Sequence, residues 1–357
     1  MSHPGSSAAP LAWILTGDKS GDAAQMRALA KAGGLRSVEM PLDYNRRYQR
    51  ANIFLGASLR SLKAPSRAQI APPWPDIVLS SGRRSVPIAR WIRRQSGGRT
   101  RLVHVGRPWG RLAWFDLVLA MPQYGLPDRD NVMQLRMPFN MPSPEAMAAA
   151  RERWRDRLDA LPRPWIALLV GGKSKPLRLD AQIAADIGRA ASRLAREKGG
   201  SVLAVTSPRT SPEATAALFA AIDAPGIRHG WRANDPESPY QALLALADEF
   251  VVTGDSASML AESLRTGRPV SIAPLPVRLG PKRRRIAFFR SLLPRPLFAL
   301  LIDLGLVTSV RDMTLLQRRL VADGVAVMLG SQAAGRAGFA DDMPAAAERV
   351  RALALTR

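Results

Sequence analysis

Short apolar runs alternate with stretches of helical period along most of the chain, the pattern of parallel strands buried on both faces and joined by crossover helices. In the first half the apolar runs at 12–17, 76–82, 100–106, 115–121 and 131–136 predict strands. Helical patterns at 22–34 and 86–98 each close on two glycines, the expected C-terminal signal. Segment 43–75 is less regular, and its proline-rich end at 65–75 reads as a loop.

A helix between two proline-bearing breaks occupies 141–165, and there the pattern restarts. Strands are predicted at 165–172, 201–207, 249–254 and 269–275, with helices at 179–200, 211–222, 238–248 and 256–267 between them. Beyond lie a basic segment and two more helical patterns, at 310–329 and 342–355. The division is therefore a flexible N-terminus at 1–10, an α/β domain at 11–145, a second at 146–275, and a basic amphipathic tail at 276–357 whose last helix is expected to pack on the first domain. A length of 357 residues agrees with two domains.

Composition narrows the chemistry. The chain has no cysteine, which excludes disulfides and thiolate catalysis, and its histidines (His3, His104 and His229) are too scattered for a histidine-rich metal site. No run is long and apolar enough to span a membrane, and the start does not read as a signal peptide. Net charge is +23, and it is concentrated: nine arginines and no acid at 83–111, seven basic residues and no acid from Arg278 to Arg295. Such surfaces attract polyanions. No zinc-finger spacing or aromatic ribonucleoprotein motif is present, so nucleic acid is not expected. The second basic cluster borders apolar residues, as in segments that lie on an anionic membrane surface, and points to a cytoplasmic protein peripheral on the inner membrane face.

In open parallel sheets, ligands bind beyond the carboxyl ends of the strands, where helix N-termini suit phosphate. Six polar loops occupy predicted strand ends: "TGDKSGD", "SSGRRS" and "VGRPWG" in the first half, "VGGKSKP", "TSPRTSPE" and "TGDSAS" in the second. None matches the Walker loop or the dinucleotide fingerprint. Gly171 and Gly172 either make a tight turn or let backbone approach a ligand. Ser256 is a fair helix N-cap, with Asp255 an alternative, and Ser258 falls in the first turn. Glu262, four residues on, shares that helix face; it either accepts ribose hydroxyls or pairs with Arg265.

The ordered succession "TGDKSGDAAQ", "SSGRRSVPIAR", "VGRPW", "LLVGGKSK", "VTSPRTSPE", "SPYQALLALAD" and "VVTGDSASMLAESLRTGRPV" resembles the mitochondrial-fission-protein-like family of glycosyltransferase-type proteins over about residues 11–275. More distantly, the last block is similar to one in the peptidoglycan N-acetylglucosaminyltransferase, and "GDKSGD" to a loop of lipid A disaccharide synthase. The resemblance implies an α/β fold of glycosyltransferase B type, two Rossmann-like domains facing a cleft that holds a nucleotide sugar, without metal or other cofactor. It implies donor binding by Gly171, Gly172, Lys173, Ser174, Arg209, Gly254, Asp255, Ser256, Ser258 and Glu262, with Glu262 on the ribose. Asp18 and Asp22 are the expected general bases, and Gly17, Arg83 and Arg107 the expected acceptor contacts. The acceptor implied is a lipid-linked or envelope glycan. A non-catalytic membrane adaptor and a sugar-nucleotide epimerase are the alternatives. The chain departs from the family pattern at Pro208, at Ser238 of Ser-Pro-Tyr, and at 122–125.

Overall fold

The computed structural model describes residues 9–17, 20–45, 55–307, 311–331 and 340–356; Asp18 lies outside them. Two compact units account for the chain, one of Met1–Phe139, Ala287–Val310 and Asp341–Arg357, the other of Asn140–Ile286 and Arg311–Ala340.

The first unit holds a six-stranded sheet of β1 (Leu11–Thr16), β2 (Arg36–Pro41), β3 (Ile77–Ser81), β4 (Arg101–Val105), β5 (Leu117–Ala120) and β6 (Val132–Gln134). All pairings are parallel, in the order β2-β1-β3-β4-β5-β6. Strand side chains alternate between two buried layers. Ile14, Leu79, Val105 and Leu119 pack with Met26 and Leu29 of helix Ser20–Ala32 and with Met343, Ala346 and Val350 of helix Met343–Leu355. Trp13, Leu15, Val78 and Val118 face the other way, onto Ile88 and Ile92 of helix Val86–Gln95 and onto Ile302. Burial on both faces is what near-continuous apolar strands encode. The predicted strands are all present, but β2 was not foreseen: it is an edge strand whose residues are mostly exposed, so Arg36, Ser37 and Glu39 mask any apolar run.

The second unit repeats the architecture with β7 (Trp165–Leu169), β8 (Ser201–Val205), β9 (Gly226–His229), β10 (Glu249–Thr253), β11 (Val270–Ala273) and β12 (Val327–Met328), again all parallel, in the order β12-β11-β10-β7-β8-β9. Counted within the unit, this is the Rossmann order 3-2-1-4-5-6. Helix starts follow their sequence signals: Asp180 accepts from Ile183 N at the head of Ala181–Glu197, and Ser211 accepts from Ala214 N at the head of Pro212–Ala220. Strand β9 was missed because it is a short edge piece, Gly-Ile-Arg-His.

The segment grouped as one tail in the sequence divides. Residues 287–310 and 341–357 belong to the first unit and 311–340 to the second, where β12 closes the sheet edge against β11. Among the described residues no helix is long and apolar enough to cross a membrane. Each sheet has one topological switch point, where neighbouring strands connect in opposite directions: β1/β3 in the first unit, β7/β10 in the second.

Candidate functional site

The second unit's switch point brings together the loops after β7 and β10, which is where the sequence carries Gly171–Ser174 and Gly254–Ser256. Their meeting is organised by Asp255, whose side chain is wholly buried. Its Oδ2 accepts from Gly172 N at 2.9 Å and pairs with Arg209 at 3.0 Å, while Oδ1 accepts from the Thr253 hydroxyl at 2.8 Å. Thr253 Oγ1 in turn accepts from Gly171 N at 2.7 Å. The Gly171 carbonyl accepts from Ser207 Oγ at 2.8 Å and from the Thr210 hydroxyl, and Lys173 N donates to Arg209 O at 3.0 Å. Three loops distant in sequence are thus held by one polar network in which each bond polarises the next.

This network requires the two glycines. A Cβ on Gly171 would stand 2.4 Å from the Asp255 carboxylate oxygens, and one on Gly172 would stand 2.2 Å from the Arg209 backbone. At Gly254 the buried Gln317 donates to the carbonyl at 2.9 Å, and a Cβ there would displace the Gln317 amide. Asp255 and these glycines shape the loop, while Lys173 is exposed and Ser174 and Arg209 are partly so. Thr253, Ser207 and Thr210, which sequence reading did not single out, carry as much of the network as Asp255. Their only signal in the chain was polar residues at strand ends.

Helix Ala257–Arg265 begins beside this network. The Ser256 side chain makes no cap hydrogen bond, so it does not occupy the first-turn N–H groups that can hold an anion. Ser258 is exposed and bonds Asn140 at 3.3 Å, and Arg265 donates to the Asn140 carbonyl at 2.9 Å. One turn along, Glu262 is partly buried and accepts from the Tyr240 hydroxyl. Burial pushes the Glu262 carboxyl above the usual range, against the opposing pull of the Tyr240 hydroxyl and Arg265. Burial, with the neighbouring Glu262 charge, also raises the Tyr240 phenol, which stays protonated and donating.

In the first unit, Gly17 is exposed at the end of β1 and Asp22 lies in the first turn of helix Ser20–Ala32. Arg83 follows Gly82, whose φ of 73° turns the chain out of β3 into the short helical turn Arg83–Ser85. Gly17 and Arg83 therefore sit on the two loops of the β1/β3 switch point. Arg107, after β4, stacks over Trp109 at 4.0 Å. His104 is fully buried on β4, with Nδ1 2.9 Å from Ser80 Oγ, and burial lowers its pKa to about 3. It is a neutral core residue. Among the described residues no three His, Asp or Glu side chains converge as a metal site.

Solved structures similar to this chain include a UDP-GlcNAc 2-epimerase from Methanocaldococcus jannaschii (TM-score 0.47, 11% identity, 95% of this chain and 98% of that one). MnaA of S. aureus in complex with UDP (TM-score 0.43, 11%, 88% and 96%) and MurG of Acinetobacter baumannii (TM-score 0.40, 15%, 90% and 96%) are also similar. The mitochondrial fission protein ELM1 of Arabidopsis thaliana is 25% identical over 241 residues, 61% of this chain and 56% of that protein. The chain thus spans about half the length of that relative. The family model described as Mitochondrial fission ELM1 matches residues 20–325, from the first helix to the last turns before β12, and the chain belongs to that family.

Proposed function

We propose that the second unit binds a nucleoside diphosphate sugar at its switch point and that the protein transfers the sugar to a hydroxyl acceptor. The observation carrying this reading is the buried Gly171–Gly172 loop, fixed by Asp255 with no space for a side chain and leading into the exposed Lys173, beside an uncapped helix start with a carboxylate one turn along. In this reading Glu262, oriented by Tyr240, accepts the ribose hydroxyls. Lys173, Ser174, Arg209 and the helix start bearing Ser256 and Ser258 take the diphosphate, balancing the charge that develops as the sugar–phosphate bond breaks. The acceptor oxygen forms the new bond to the sugar carbon, and its proton passes to a carboxylate, for which Asp22 and Asp18 are the proposed bases. Gly17, Arg83 and Arg107 are proposed for an acceptor that is lipid-linked or an envelope glycan.

An anionic membrane surface is the proposed partner of segment 278–295, in which helix Pro281–Leu292 exposes Phe288 and Leu292 alongside Arg284 and Arg285. Flotation with anionic vesicles tests it: Arg284→Glu with Arg285→Glu should abolish binding, and unchanged flotation would remove this surface from the account.

Membership of a family described by a fission role favours a second reading, a non-catalytic adaptor that keeps the fold. Thermal shift against a panel of nucleoside diphosphates separates the two. Stabilisation by one of them that is lost in Glu262→Ala supports the donor site; no response to any supports the adaptor. Nucleoside diphosphate released only when an acceptor is added identifies a transferase, and an altered sugar still joined to the nucleotide, with no release, an epimerase.

A further inference from the structure

A second feature of the Rossmann-type unit adjoins the residues proposed for the donor diphosphate and shares Lys173 and Arg209 with them, but its own ligand is read from Lys175, Arg278 and the leucines beyond. Next to the loop after β7 lies an open groove of about 950 Å³. Its rim carries Lys173, Lys175, Arg178, Arg209, Arg278 and Arg284, against only Asp180 and Glu213. Arg178 is neutralised by Asp180 at 2.7 Å and Arg209 by Asp255. Lys173, Lys175, Arg278 and Arg284 have no ion-pair partner among the described residues, yet all line the same groove. Holding cations of like sign together without an anion is unfavourable, so such a cluster on fixed walls marks a place where an anion is supplied from outside.

The walls are fixed. Segments 174–178 and 276–278 are tied by Arg178 N donating to Pro276 O at 3.1 Å and Arg278 N donating to Pro176 O at 2.8 Å, with Leu177 bridging Val277. Lys175 and Arg278 extend from these two tied segments and line the same groove. Between the cations the lining is apolar, from Leu177, Leu179 and Leu279. A purely aqueous anion such as orthophosphate would leave that lining unused.

We propose that this groove binds a ligand carrying two adjacent phosphate groups on an apolar body, the phosphates on the Lys175 and Arg278 rim and the body on the leucine floor.

The test is titration calorimetry of the full-length protein at physiological ionic strength, with orthophosphate, inorganic pyrophosphate, farnesyl diphosphate and UDP as probes. Pyrophosphate should bind more tightly than orthophosphate, and Lys175→Glu with Arg278→Glu should weaken it about tenfold or more, since charge-assisted bonds are replaced by repulsion. Both side chains are exposed, so the variant should keep the wild-type unfolding midpoint. Farnesyl diphosphate should bind at least about tenfold more tightly than pyrophosphate, a gain that Leu279→Asp removes by placing charge on the apolar floor. Pyrophosphate binding indifferent to the charge reversal would overturn the site, and farnesyl diphosphate no tighter than pyrophosphate would overturn the apolar body. Glu262→Ala should leave pyrophosphate unchanged. Failure of the nucleotide reading looks different: UDP would bind no more tightly than pyrophosphate and would be indifferent to Glu262→Ala, whatever the groove variant does.

Discussion

Replacing Asp255 by asparagine tests the network at the second switch point with almost no change of shape. The carboxylate accepts from Gly172 N, Thr253 Oγ1 and Arg209, and none of its surface is exposed. Asparagine keeps one acceptor oxygen and turns the other into a donor. If that donor faces Gly172 and Arg209, it meets two further donors. If it faces Thr253, the hydroxyl, which already accepts from Gly171 N, loses the acceptor for its own proton. Either way at least one buried donor is orphaned, at a cost of about 1–3 kcal/mol. The ion pair with Arg209 adds less than a fully buried pair would, because Arg209 is 40% exposed and screened by solvent. The expected total is about 2–4 kcal/mol, which at a urea dependence of about 2–3 kcal/mol per molar shifts the second unit's midpoint down by about 1 M. The assay is urea unfolding followed by circular dichroism and tryptophan fluorescence, with the two units allowed separate transitions. A midpoint that moves by less than about 0.2 M would mean that the buried hydrogen bonds do not hold these loops together.

Further expectations follow from the same geometry. Gly172→Ala puts a methyl against the Arg209 backbone, which cannot swing aside as a side chain would; nucleoside diphosphate affinity should fall at least about tenfold by calorimetry. The Glu262 carboxyl is raised by burial, so its stabilising share is full below the ordinary carboxyl range and is lost as pH rises through the raised native value. Glu262→Gln should therefore gain stability relative to wild type across that window in pH-dependent denaturation. Ribose binding needs the carboxylate and should instead strengthen with rising pH there. His104, depressed to about 3, works in the opposite sense: its contribution is present above about pH 6.5 and declines as pH falls toward 3. His104→Phe should flatten that acid limb by up to about 1.4 kcal/mol per pH unit, read from denaturation midpoints.

The sequence made the strand ends legible because a strand buried on both faces must read as an apolar run and must end where polar residues begin. That places the loops after β1, β3, β4, β7, β8 and β10. Two edge strands, β2 and β9, escaped for the converse reason: they lack a buried second face, and Arg36, Glu39 and Arg228 leave no periodic signal. Asp255 illustrates the harder limit. Along the chain it looks like a helix cap or a ligand contact. Its burial depends on Gly172 and Arg209, which are far away in sequence and reach it only through the order of the strands. Tyr240 stood in a quoted motif, but its hydrogen bond to Glu262 needs two helices to meet. The division of the tail between the units had no local code, since an amphipathic helix such as Met343–Leu355 states which face is buried and not against what.

The central claim is that the β7/β10 switch point holds a nucleoside diphosphate. Hydrogen–deuterium exchange on the full-length protein, with and without the nucleoside diphosphate that gives the largest thermal shift, tests it most directly. The account predicts protection at 170–174, 207–211 and 253–262, lost in Glu262→Ala. Protection elsewhere in the chain with none in these loops would contradict it.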